Sequence, residues 1–227
     1  MKKILSALLL TVLIASLLTL TGMAGVKKIG DSYVEDGEFV IASYNGTKNF
    51  IKGLAAPDQL EDACYWLLQN KEDFNLKYVS FLGQLTGSSK NNYYNTVVPG
   101  YMDTNGFLAL FGSEDDWMKE FKTLGNVTSV ISEDGIPMGY SPAMADFYGG
   151  GYNRNTYISE YLSVEETMPE GAKYEYLDDT NYYTVIENEN TKYLVFQLEP
   201  YPRAATLEWF NKAVSEHPDK YVIVYTN

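Results

Sequence analysis

Between Asp58 and Gly83 the spacing of hydrophobic positions changes, and the change locates the first clear elements of the chain. Leu60, Ala63, Cys64, Leu67 and Leu68 recur at i, i+3, i+4, i+7 and i+8, which places them on one face of a helix. Asp58 and Glu61 have the spacing of a capping box, so the pattern predicts a helix over 58–73 that starts near Asp58. Cys64, on the apolar face, reads as a buried inert thiol. The run Tyr78-Val79-Ser80-Phe81-Leu82 is aromatic and β-branched and stops at Gly83, which predicts a core strand over 78–82. A second apolar run predicts a strand over 39–42, followed by a turn at Asn45-Gly46-Thr47. Strand, helix and strand form a βαβ unit, whose strands are expected to be parallel with a right-handed crossover.

Farther along the chain the patterns are shorter. Thr96 to Val98 reads as a strand before a turn at Gly100. Ser113-Glu114-Asp115-Asp116 precedes Trp117, Phe121 and Leu124, which suggests a capped short helix whose acids complement its dipole, with a calcium site as the alternative use of the cluster. From Gly125 to Gly151 no period is sustained among many Gly, Pro, Ser and Met, and the stretch reads as a long irregular excursion. Runs over 182–187 and 193–198 flank Asn188-Glu189-Asn190-Thr191, a hairpin signal. Pro202 stands at the start of a helix predicted over 203–216, in which Leu207, Phe210, Ala213 and Val214 share a face. Tyr221 to Tyr225 reads as the last strand.

The segment Trp66 to Gln84, followed by Val97-Val98-Pro99-Gly100-Tyr101-Met102-Asp103, resembles the calcineurin-like metallophosphoesterases. Gly149 to Tyr157 is likewise similar to a Gly-Asn-Thr-Tyr segment by which some bacterial members of that family re-enter the sheet. The resemblance implies an α/β fold, an α/β/β/α sandwich with mixed sheets. In the family, the first strand ends in an Asp and, two residues on, a His or Gln, the next in Gly-Asp, and a later one in Gly-Asn-His-Asp or Gly-Asn-His-Glu. Mapped onto this chain, those places hold Ser43, Asn45, Gly83-Gln84 and Gly100-Tyr101-Met102-Asp103, with Asn227 after the last strand. Gly83, Gly100 and Asp103 keep the motif residue, whereas Ser43, Asn45, Gln84, Tyr101, Met102 and Asn227 offer neither an anion nor an imidazole. The chain also ends where the family continues to a Gly-His-x-His turn, so the last part of the fold is expected to be missing and the final strand to form a sheet edge open to self-association.

Two-metal phosphoester hydrolysis needs a pair of divalent cations held by carboxylates and imidazoles, so that a bound water becomes a hydroxide near neutral pH. The resemblance therefore implies a hydrolase scaffold, while the substitutions imply no metal cofactor and no catalytic residues. The only histidine, His217, precedes the last strand and reads as a helix C-terminal residue. No Gly-x-Ser-x-Gly elbow and no phosphate loop offers another route to catalysis. Twenty Tyr and three Trp favour binding of carbohydrate or peptide on aromatic faces. The expectation is a pseudoenzyme that acts by binding; the alternative is a metal-dependent phosphoester hydrolase with a rebuilt site around Asp103.

Composition and charge narrow the setting. The chain has 227 residues, 45 % hydrophobic and 21 % charged, which suits a single domain over 25–227. Lys2 and Lys3, the apolar run Ile4 to Leu20 and the small residues around Gly22-Met23-Ala24 read as a signal peptide over 1–24, with a membrane anchor as the alternative. Export, as in a secreted bacterial protein, is the implied destination. Loss of Lys2 and Lys3 takes the formal charge from −13 to −15, which disfavours nucleic acid and anionic membrane surfaces as partners. One cysteine cannot form an internal disulfide.

Overall fold

A computed structural model describes residue 34 and residues 37–52, 55–87, 114–147 and 156–227. The expected signal peptide, the strand over 96–98 and the motif residues Gly100, Tyr101, Met102 and Asp103 lie outside the described residues. The elements run β1 (Val40–Asn45), α1 (Lys48–Ile51), α2 (Pro57–Gln69), α3 (Lys71–Phe74), β2 (Leu76–Gly83), α4 (Glu114–Glu133) and β3 (Met138–Pro142). A second series follows: α5 (Ile158–Tyr161), α6 (Val164–Thr167), β4 (Lys173–Asp178), β5 (Asn181–Asn188), β6 (Thr191–Gln197), α7 (Ala204–Glu216) and β7 (Tyr221–Tyr225).

The fold is α/β, with two sheets. The first has the order β1-β2-β3 and the second β4-β5-β6-β7. All pairs in the first sheet are parallel, so the expectation of two mixed sheets holds only for the second, where parallel β7 is added to the antiparallel β4-β5-β6 meander. The difference follows from the connections: helices α2 and α4 bridge the strands of the first sheet, whereas tight turns join β4, β5 and β6. Glu189 takes a positive φ of 52° at the β5–β6 turn, where the hairpin was expected.

Strand alternation sorts the side chains into layers. Val79 and Phe81 of β2 join Leu60, Cys64 and Leu67 of α2 and Trp117, Phe121 and Leu124 of α4 in the largest core cluster. Tyr78, on the opposite face of β2, packs with Ile186 and Val195 between the sheets, together with Ile41 and Ile223. Leu194 and Phe196 of β6 face outward, onto Trp209, Phe210 and Ala213 of α7. The packing order is thus helices, sheet, sheet, helix. Polar links also cross the middle layer: Gln197 Nε2 donates to Ser80 Oγ at 2.8 Å and Ser141 Oγ to the Leu198 carbonyl at 3.1 Å.

Several expectations need correction. The helix predicted over 58–73 starts one residue earlier and breaks at Asn70, with α3 completing it. Its N-cap is Ala56 and no side-chain capping bond forms, because Pro57, with its fixed φ and missing N–H, occupies the first helical position. Within residues 114–147, the predicted short helix and irregular excursion are instead the 20-residue α4 and the buried strand β3. Gly125 does not break α4, since the buried series Trp117, Phe121, Leu124, Thr128 and Ile131 carries the helical period through it. A Cβ at Gly125 would lie 2.5 Å from the Tyr161 carbonyl oxygen, so the glycine permits a close approach of the C-terminal end of α5. On α7, Leu207 does not share the buried face; it is 46 % exposed, on the flank away from Trp209.

Candidate functional site

In the first sheet the three parallel strands end together, and that end carries the chemistry. Asn45 at the end of β1 pairs in register with Leu82 of β2, and Gly83 pairs with Pro142 of β3. Backbone bonds continue beyond the strands: Gly46 N–H donates to the Leu82 carbonyl at 2.9 Å and Lys48 N–H to the Gln84 carbonyl at 3.1 Å. On the second sheet, Leu198 N–H donates to the Tyr225 carbonyl at 2.9 Å, bringing the segment after β6 alongside the end of β7. These ends enclose a cleft of about 610 Å³, whose lining includes Asn45, Lys48, Gln84, Met144, Tyr201 and Asn227. Open parallel sheets place ligands at this edge, since the strand ends there leave backbone and side-chain groups facing a common crevice.

Three of the expected positions therefore meet. Asn45, Gln84 and Asn227 line one cleft although they are far apart in sequence. Gly83 is the point on which they converge. Its φ is +79°, and a Cβ there would lie 2.7 Å from Asn45 Oδ1 and 3.1 Å from Asn227 Nδ2. Only glycine combines that backbone with that approach. Ser43 is not part of the cleft lining; its Oγ donates to the Tyr225 hydroxyl at 3.3 Å, between the sheets. His217 lies at the C-terminus of α7, with Nε2 3.1 Å from the Tyr183 hydroxyl and Nδ1 3.1 Å from Lys220 Nζ.

Buried acids brace the segments that follow β2, β3 and β6. Asp146 is fully buried and accepts from the backbone N–H groups of Leu85, Thr86 and Ala143 at 2.9–3.1 Å. It thereby ties the segment after β2 to the segment after β3, which forms the cleft wall. Burial pushes its carboxyl up to about 6, against the opposing pull of those amides. Buried Glu120 accepts from Gly87 N–H at 2.8 Å. Buried Glu199 accepts from Arg203 N–H and Nε at 3.0 and 2.8 Å and from Thr206 Oγ1 at 2.7 Å. Burial works to raise its carboxyl, yet Arg203 and Thr206 hold it below the ordinary value.

Glu199 fixes the turn Glu199-Pro200-Tyr201-Pro202-Arg203, and that turn presents Tyr201 at the cleft. Tyr201 is 76 % exposed and has a φ of 48°, although it is bulky and precedes a proline, which favours extended backbone at that place. Lys48 supplies the formal charge of the cleft: its Nζ donates to Gln84 Oε1, and among the described residues no acid pairs with it. Lys48, Asp146 and Tyr201 were not identified from the sequence. Tyr201 had a readable signal, an aromatic residue held between two prolines. For Lys48 and Asp146 there was none, because their roles depend on which strand ends are neighbours.

The donor set can be tested against the two divalent metals that the resemblance implies. Carboxamides carry no charge, and the Lys48 ammonium occupies the same cleft, where it repels cations. These residues do not fit a pair of metal ions. Among the described residues no group of three His, Cys, Asp or Glu side chains is placed to hold one. Nor is any described helix long and apolar enough to cross a membrane. Compared by sequence with known protein families and with curated proteins, the chain matches none.

Proposed function

We propose that this protein is an exported binding protein on a metallophosphoesterase-like sandwich, in which the strand-end cleft has exchanged metal ligation and hydrolysis for hydrogen bonding. The observation that carries this reading is the convergence of Asn45, Gln84 and Asn227 around Gly83. Their neutral side chains, beside Lys48, support binding over two-metal chemistry. The apolar leader over 4–20 supports export.

The test is metal content by mass spectrometry, with phosphomonoesterase and phosphodiesterase assays in added manganese. The expected result is no stoichiometric transition metal and no turnover above background. The combined variant Gln84→Asp, Tyr101→Asn and Met102→His is expected to gain metal affinity over the parent. Stoichiometric metal in the parent, equal to that of the variant, or turnover by the parent, would overturn the reading and favour a rebuilt hydrolase site.

A further inference from the structure

We infer that the cleft binds an anionic sugar, a pyranose carrying a carboxylate or a phosphate, with Tyr201 against the ring and Lys48 facing the acidic group. The inference rests on the binding reading above and specifies its ligand. A volume of about 610 Å³ suits a small ligand and not an extended polymer. Its lining combines three kinds of group, and each narrows the chemistry.

Asn45, Gln84 and Asn227 each present a planar amide with two donors and one acceptor oxygen. Neighbouring hydroxyls on a sugar ring offer the complementary pattern, since each hydroxyl both donates and accepts. A purely apolar ligand would leave these amides without water or partners, at a cost. Tyr201 supplies an apolar face beside them. Its left-handed backbone is held by the Glu199 bonds to Arg203 and Thr206, and its ring stays largely outside the core. The strained backbone holds an exposed aromatic ring at the cleft, where it can meet a ligand. Aromatic faces accept the C–H face of a sugar by dispersion and apolar contact.

Lys48 sets the charge. Among the described lining residues it is the only one with a formally charged side chain, in a chain whose net charge is −13. Its ammonium has three N–H donors, one of which goes to Gln84, leaving two directed elsewhere. An anionic group on the sugar would accept from them in a charge-assisted bond and would be repelled by most of the remaining surface.

The experiment is calorimetric titration of the full chain with glucuronic acid, glucose 6-phosphate, glucose and inorganic phosphate. At least one anionic sugar is expected to bind saturably, and about tenfold or more tightly than glucose, the usual worth of a charged hydrogen bond. Comparison of glucuronic acid with glucose 6-phosphate decides between carboxylate and phosphate. Lys48→Gln is expected to reduce the anionic sugar to the affinity of glucose. Tyr201→Ala is expected to weaken every sugar, and Tyr201→Phe, which keeps the ring, to bind as the parent does. Circular dichroism on each variant separates loss of binding from loss of fold, and the exposed position of Tyr201 makes its variants the safer pair. Absence of saturation by both anionic sugars, or unchanged affinity in Lys48→Gln, would overturn the inference. Inorganic phosphate binding as tightly as glucose 6-phosphate would overturn its sugar component. A metal-free, inactive protein that ignores sugars would leave the binding reading standing and remove this ligand class alone, whereas release of phosphate from glucose 6-phosphate would remove both.

Discussion

Substitution of Asp146 by Asn tests whether the anchor beneath the cleft is a buried acid with a raised pKa. The side chain is fully buried, and burial lifts its carboxyl from 3.8 to about 6. At about 1.36 kcal/mol per pKa unit, a shift of about two units represents about 3 kcal/mol. The folded state thus holds its proton more tightly than the unfolded chain. The contribution of this group is complete below the unfolded value near 4 and is lost as pH rises through about 6. Asp146→Asn removes that titration. It also turns an amide N–H₂ toward the backbone donors of Leu85, Thr86 and Ala143, so at least one loses its acceptor, at about 1–3 kcal/mol each. Urea unfolding of parent and variant at about pH 4.5 and about pH 7.5 separates the two effects. The variant is expected to be less stable than the parent by about 2 kcal/mol more at the acid pH than at the neutral one. An equal cost at both pH values would refute the argument and show that the three backbone amides keep the carboxyl in its ordinary range.

Other predictions follow from packing. Gly125→Ala in mid-helix would ordinarily stabilise by about 1 kcal/mol, but here the methyl meets the Tyr161 carbonyl at 2.5 Å, so thermal unfolding should show a loss; a gain would mean that the end of α5 does not press on α4. Leu67→Ala should cost about 2–5 kcal/mol in urea titration, since Leu67 packs in the core between α2 and the first sheet, and a loss under about 0.5 kcal/mol would contradict that face. Strand β7 is the outer strand of the second sheet among the described residues, and Tyr221, Val222 and Val224 are exposed on it. Concentration-dependent self-association by light scattering is expected, reduced by Val224→Lys; a monomer at high concentration would speak against an open edge.

The elements of the first βαβ unit were legible from local patterns, an apolar stripe on the helix and short apolar runs bounded by turn residues for the strands. Leu60, Cys64 and Leu67 meet a single core, so their spacing records the helix. The β5–β6 hairpin and β7 were legible for a similar reason, as short runs bounded by turn residues. Such local signals fail where a residue's reason lies in another element. Gly125 looks like a helix breaker until Tyr161 is seen against it, and β3, buried at every position, shows no alternation to read.

The sequence by itself also decided that the side chains of Asn45, Gln84 and Asn227 are neutral amides. It did not decide that Asn45, Gln84 and Asn227 meet. That depends on two sheets packing so that β7 ends beside β1 and β2, a juxtaposition set by the apolar layer around Tyr78, Ile186 and Val195. Lys48, Asp146 and Tyr201 acquire their roles only then. A charge, a carboxyl and an aromatic ring have no fixed chemistry along a chain; burial and neighbours, which belong to the folded state, determine which groups they face and at what cost.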